Sequence, residues 1–586
     1  MCGIAGWFGH SAGIDERVLL TSLRHRGPDG SGVWRDAGSR AGMAHTRLAI
    51  IDLSECGAQP MAYNESDVPE QGAHIVYNGE IYNFRELRAD LESTGEYFVG
   101  QSDTEVLLRL VAREGTGALP KLAGMFAFAF FDSESGRGLL ARDAFGIKPL
   151  YYIEKNGGLT FASEVRTLLP FLSETRTDPA GLRNALLWGT VPEPETLVEG
   201  IRLLPAGACL EWDGAKGKIS RWHEARFVDA HLYSDPVAAT RAALLESIER
   251  HLVSDVPVGI FLSGGVDSTA VLALAREVLG PDADLRTFSI GFDDPEFDES
   301  LVARRTAEHF AARHTEWRMT AEEGKAEIAG YLAAMDQPSI DGFNTWCVSK
   351  MAHREGMKVV LSGLGSDELF GGYGSFQQVP RFHRLYHLLG PFRTIAAMAL
   401  DRAPVGSRWR RLAAFLRGPG TPLAAFHAQR GIFTEPEARE LTRALTGTDP
   451  GPAEWRLESV PDDVRDAVSY MEISRYMRNQ LLRDSDVFSM AHGLEMRVPF
   501  VDMRLFHSIA SIPAAIRAGK GKRLLLDAVP EIPAWVREQP KRGFRFPFED
   551  WSNEFSELFS SAERRSTVPL VTWYRRWALA VMLLKA

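Results

Sequence analysis

The stretch Phe261-Leu262-Ser263-Gly264-Gly265-Val266-Asp267-Ser268 joins two segments of different period. Before it, Val256 to Ile260 is short, apolar and β-branched, the pattern of a buried strand. After it, Thr269 to Arg276 reads as a packed helix. A Ser-Gly-Gly loop between strand and helix binds anions. Unpaired backbone N–H groups and the helix dipole point at the ligand. Glycines let a phosphate approach the backbone, and Ser263 and Ser268 add hydroxyl donors. Asp267 would repel a bare phosphate, so a carboxylate here implies Mg²⁺ between it and the phosphates. No Gly-Lys-Ser/Thr follows, so the loop is not a Walker A sequence.

A second glycine-rich turn, Ser362-Gly363-Leu364-Gly365-Ser366-Asp367, follows the apolar Val359-Val360-Leu361. It can bring Asp367 opposite Asp267, and two carboxylates from separate strand ends make a Mg²⁺–pyrophosphate clamp. The plainer reading is a loop ending in a helix cap.

The third candidate is Cys2. Its side chain is small, so removal of Met1 is expected. The freed α-amino group, with a pKa near about 8, would serve as base for the thiol, because the thiolate is the nucleophile. The competing reading is an inert buried cysteine. Several segments accompany it. Arg24 to Asp29 is a polar turn. His45 to Asp52 reads as a strand with Arg47 near its head. Ile75 to Asn83 reads as strand, turn, strand, with Asn78-Gly79 as the hairpin turn. Ser102 and Asp103 cap a helix carrying Val106-Leu107-Leu108. Met125 to Asp132 and Gly138 to Asp143 form another hairpin pattern.

The elements that position these residues span 586 residues, too many for one core. A net charge of −11 argues against a nucleic-acid surface, which needs clustered Lys and Arg. Cys2, Cys56, Cys209 and Cys347 include no C-x-x-C pair, which argues against a zinc site or redox pair and fits a reducing cytoplasm. No signal-peptide pattern or bilayer-length apolar run is present, so no membrane partner is expected. The apolar tail from Trp577 to Leu584 reads as a helix docking on the body. Gly207 to Asp235 lacks long periodicity and is the expected joint, with a helix from Pro236. Beyond it strands and helices alternate, as in a doubly wound sheet. Leu285 to Phe292 is the next strand, and Ile290 near its carboxyl end is a candidate for an adenine pocket. Asp293 to Ser300 is an acidic loop.

Taken together, the segments around Cys2 resemble the glutaminase domain of class II (N-terminal nucleophile) glutamine amidotransferases. The resemblance implies a two-layer antiparallel β sandwich flanked by helices, an α+β domain. It also implies that Cys2 attacks the glutamine side-chain amide and forms a thioester, releasing ammonia. Asn78 and the Gly79 N–H would form the oxyanion hole. Arg47 would pair with the α-carboxylate, and Glu80 and Asp103 would hold the α-ammonium.

The Ser-Gly-Gly-x-Asp-Ser loop resembles the pyrophosphatase loop (PP-loop) of enzymes that split ATP into AMP and pyrophosphate. Asp336-Gln337-Pro338, Asp341, Arg478-Asn479, Arg483 to Asp486, Leu494 to Asp502 and Gly521 to Leu526 extend the likeness, and the whole chain resembles the asparagine synthetase family. That implies a glutaminase domain at 1–217 and an α/β ATP pyrophosphatase domain at 235–586, with a doubly wound parallel sheet. ATP would lie against Leu262, Ser263, Gly264, Gly265, Asp267, Ser268, Ile290, Ser362 and Gly363, with Mg²⁺ on Asp267 and Asp367. The acceptor carboxylate would attack the α-phosphate, and ammonia arriving through an internal tunnel would displace AMP. Lys522 would stabilise charge on the phosphates. A homodimer is compatible with the sequence.

One departure matters. The family commonly carries glutamate where this chain has Leu364, and leucine cannot transfer a proton. Glu368 or another group must then remove the proton, or the acceptor differs. The acceptor stays open between aspartate, the simplest choice, and another carboxylate such as a sugar uronic acid or natural-product acid.

Overall fold

The computed structural model describes residues 2–9, 15–63, 72–227, 233–292, 298–404, 406–455, 457, 459–539 and 555–585. Most of the acidic loop, 293–297, and part of the joint, 228–232, lie outside the described residues.

In the N-terminal half, alternating apolar residues build two sheets whose central strands are buried on both faces. The strands are β1 (Gly3–Gly9), β2 (Gly30–Arg35), β3 (Ala41–Arg47), β4 (Met61–Tyr63), β5 (Ala73–Ile81), β6 (Gly124–Asp132), β7 (Arg137–Arg142), β8 (Tyr151–Lys155), β9 (Gly158–Ala162), β10 (Arg202–Leu203), β11 (Ala208–Trp212) and β12 (Gly217–Arg221). One sheet runs β10-β8-β9-β1-β3-β2 and the other β12-β11-β7-β6-β5-β4. All their pairings are antiparallel. The period of two decides what each residue faces. Ala127 and Ala129 of β6 join Ile4 and Phe8 between the sheets. Phe126 and Phe128 point the other way, toward Val106, Leu107 and Val111 of the helix Asp103–Glu114. The result is the expected sandwich flanked by helices.

Three local expectations are corrected. Ile75 to Asn83 is not strand, turn, strand: β5 continues through Asn78 and Gly79, paired with β6 from Ala73↔Asp132 to Ile81↔Gly124. Gly79 serves close approach instead, since a Cβ there would lie 2.1 Å from the Met125 carbonyl oxygen. Arg47 ends strand β3 rather than heading one. Leu48 and Ile50 leave the sheet and pack with Ile260 and Leu262 of the second half, so one apolar cluster spans both halves. The β11–β12 hairpin carries the N-terminal sheet past residue 217 to Arg221.

The helix Pro236–His251 leads to a five-stranded sheet, β15-β14-β13-β16-β17. Its strands are β13 (Val258–Phe261), β14 (Arg286–Phe292), β15 (Arg313–Met319), β16 (Val359–Leu361) and β17 (Glu495–Arg497), and all pair in parallel. The order reverses at β13, between β14 and β16. That switch point is where open α/β sheets bind ligands, beyond the carboxyl ends of the strands. Both glycine-rich turns emerge there. At the other end of the chain, the helix Trp573–Lys585 buries Trp577 to Met582 against the body. No described helix is long and apolar enough to cross a membrane.

Candidate functional site

Two chambers hold the candidate residues. The first is a narrow cavity of about 30 Å³ lined by Cys2, Arg47, Gly79, Glu80 and Asp103 among others. That volume is room for the centres of a water or two. Cys2 lies just before β1, and its backbone N–H donates to Asn78 Oδ1 at 3.0 Å. Burial pushes its thiol up, opposed by a hydrogen bond with the Leu48 backbone. Asn78 is fully buried, and its Nδ2 has no hydrogen-bond partner among the described residues. An unused buried donor is costly, and this one belongs to the side chain that fixes Cys2.

Arg47 is held at the rim by backbone oxygens. Its guanidinium donates to Ser54 O at 2.9 Å and also to Asp52 O. Asp103 Oδ2 accepts from the Tyr77 hydroxyl at 2.9 Å and the Ile81 N–H at 3.0 Å, so this carboxylate also pins the end of β5. Burial raises its pKa despite those bonds. Burial and adjoining Glu495 push the Glu80 carboxyl up, against the pull of Arg497 at 3.5 Å.

The second chamber is a cavity of about 330 Å³ at the switch point. Leu262, Ser263, Asp267, Ser268, Ile290, Ser362, Gly363 and Asp367 line it, as does Leu364; Gly264 and Gly265 shape the turn without lining it. Gly265 caps the helix Val266–Leu279, placing Asp267 in its first turn. The Ser268 hydroxyl accepts from the Ser263 N–H at 3.2 Å and lies 3.2 Å from Ser263 Oγ, which holds the loop open.

Lys522 joins the two turns. Its ammonium lies 2.5 Å from Asp267 Oδ1 and also contacts Asp367. Ser366 Oγ donates to the same Asp267 oxygen at 2.6 Å. Burial works against the Lys522 charge, but Asp267 and Asp367 outweigh it and raise its pKa. Gly372 makes the arrangement possible: a Cβ there would sit 1.7 Å from Asp367 Oδ1 and 2.3 Å from Lys522 Cε. Among the described residues no three His, Cys, Asp or Glu side chains gather as a metal site. The Asp267–Asp367 pair is nevertheless the hard-oxygen set that Mg²⁺ shares with phosphates and water.

Glu368 follows Asp367 but turns away from the cavity. It accepts from the Tyr373 hydroxyl at 3.0 Å, and its buried Oε2 has no hydrogen-bond partner among the described residues. Burial, then Asp367 and Glu472, push its pKa from 4.5 to about 8.

Sequence reasoning missed Asn344, Thr345 and Leu481 of this cavity. Asp484 and Ser485 also line it, within a stretch quoted above without a role. Met496 lines it too, within the quoted stretch Leu494 to Asp502; its strand had no signal, because β17 is three residues long and two of them are charged. Glu495 and Arg497 pair at 2.5 Å inside the protein, and Arg497 reaches Glu80 of the first chamber. One strand therefore touches both chambers.

A thiol-bearing chamber on an antiparallel sandwich and a PP-loop chamber on a parallel sheet define a two-domain glutamine amidotransferase. The family described as asparagine synthase matches residues 239–582, and the glutamine amidotransferase domain family matches residues 1–223. The chain belongs to the asparagine synthase family. It is 34% identical over 552 residues to the putative asparagine synthetase [glutamine-hydrolyzing] of Mycobacterium tuberculosis, covering 90% of this chain and 83% of the relative. It is 33% identical over 582 residues to asparagine synthetase [glutamine-hydrolyzing] 1 of Bacillus subtilis, covering 95% and 89%. It is also 27% identical over 635 residues to amidase chry2 of Gibberella zeae, covering 96% and 92%. The protein is a glutamine-dependent, asparagine synthase-type amidotransferase.

Proposed function

We propose that the protein activates a carboxylate with ATP, releasing pyrophosphate, and amidates it with nitrogen from glutamine. In the first chamber the Cys2 thiol, activated by its own α-amino group, attacks the glutamine carboxamide. The unused Asn78 Nδ2 and the Gly79 N–H stabilise the oxyanion. Arg47 takes the α-carboxylate, and Glu80 and Asp103 take the α-ammonium. A thioester forms and ammonia leaves.

In the second chamber adenine packs by Ile290 and Leu262, and the phosphates meet the Ser263–Ser268 loop and Ser362-Gly363. Mg²⁺, held by Asp267 and Asp367, would neutralise phosphate charge. The acceptor carboxylate oxygen bonds to the α-phosphorus as pyrophosphate departs. Ammonia then attacks the acyl carbon and AMP leaves. Lys522 balances the negative charge that develops. Leu364 cannot take the proton, and Glu368 faces Tyr373 rather than the chamber, so another group carries it. The family name points to aspartate as acceptor, and Leu364 points away from it.

The observation that carries this reading is Lys522 held between Asp267 of the PP-loop and Asp367 of the second turn. Substitution Asp267→Ala is expected to remove pyrophosphate release while glutamine hydrolysis at Cys2 continues. Undiminished pyrophosphate release from that variant would sink the reading.

A further inference from the structure

A second cavity of about 230 Å³ opens beside the nucleotide chamber, and Asp341 lines both. Trp188, Phe426 and Tyr476 form aromatic walls, with Ile340 beside them. Trp188 ends the helix Pro179–Trp188 of the N-terminal half and Phe426 belongs to the helix Pro422–Arg430, so the cavity lies where the halves meet. Tyr476 belongs to a π-helical run, Glu472–Leu482. Such runs are rare and frequent at functional sites. This one gives Arg475, Tyr476 and Gln480 to the cavity, and Leu481 to the nucleotide chamber.

The two arginines of the cavity differ. Arg430 is satisfied: its guanidinium meets Glu472 at 2.9 and 3.0 Å and lies 3.8 Å over the Tyr476 ring. Arg475 is mostly buried, and its guanidinium has no hydrogen bond or ion pair among the described residues. It faces the cavity with its donors unused, and a guanidinium is shaped for a carboxylate or phosphate. Such a cation beside aromatic walls fits a ligand that is anionic at one end and apolar in its body.

We propose that this cavity is the acceptor chamber, and that the acceptor is a carboxylic acid bearing a second anionic group and an apolar or aromatic body. The proposal rests on the synthetase reading above. The reacting carboxylate passes Asp341 toward the α-phosphate, the body packs on Trp188, Phe426 and Tyr476, and Arg475 holds the second anion. Arg475 is thus a specificity residue. Aspartate offers two carboxylates but nothing to cover the aromatic walls.

The test uses full-length Cys2→Ala protein and calorimetry. A non-hydrolysable ATP analogue cleaved at neither α nor β is bound first, followed by benzylsuccinate, succinate, 4-phenylbutyrate or aspartate. Benzylsuccinate is expected to bind about tenfold or more tighter than the other three. Arg475→Gln should bring it down to the level of 4-phenylbutyrate, and Arg475→Lys should restore part of the difference. Aspartate binding as tightly as benzylsuccinate, or an Arg475→Gln variant that binds all four as before, overturns the proposal. If the ATP analogue itself does not bind, the synthetase reading fails. If it binds and benzylsuccinate shows no advantage, only the acceptor proposal fails.

Discussion

Asn78 does two jobs with one amide. Its oxygen accepts from the Cys2 backbone, and its buried nitrogen has no partner among the described residues. Asn78→Ala should therefore lower glutamine-dependent kcat by about 10²–10³ and leave ammonia-dependent turnover unchanged. Equal loss in both assays would show a structural role only. Glu368 makes a different prediction. Its carboxyl is raised from 4.5 to about 8, chiefly by burial. Between those values the folded state binds more protons than the unfolded state, so this contribution to stability is full below 4.5 and lost as pH rises through about 8. Glu368→Gln keeps an acceptor for Tyr373 without the charge. Its Tm relative to the unsubstituted protein should rise between about pH 5 and about pH 9, and a pH-independent difference would contradict this assignment.

At the level of elements, Gly372 illustrates how closely the two turns are fitted. Gly372→Ala would force apart Asp367 and Lys522. Pyrophosphate release should fall by at least about tenfold, while glutamine hydrolysis in the other half persists; full release would contradict the fit. The same elements show what could be read from the sequence. The PP-loop strand and helix were legible because their periods change sharply across Ser-Gly-Gly. β5 was misread because Asn-Gly is a strong turn signal, yet close packing against Met125 also demands glycine. β15 went unseen because it is a polar edge strand, and β17 because a buried ion pair looks exposed when only residue types are known. The role of Arg475 had no signal at all: an unpaired cation is visible only once its surroundings are folded.

Across the whole molecule, the halves are bound by a shared apolar cluster and by buried charge. Arg26 pairs with Asp486 of the second half at 2.7 Å, both side chains fully buried, and Lys148 approaches the same carboxylate at 3.5 Å. Removing one partner leaves uncompensated charge, so Asp486→Ala should cost about 3–5 kcal/mol. Its denaturation midpoint would show this, and an unchanged midpoint would exclude it. The central claim is that one chamber frees nitrogen for the other. Pyrophosphate release by Cys2→Ala protein, with either glutamine or ammonium as the nitrogen source and an acceptor acid present, tests it most directly. Turnover should be lost with glutamine and kept with ammonium. Loss with both, or continued use of glutamine, would contradict it.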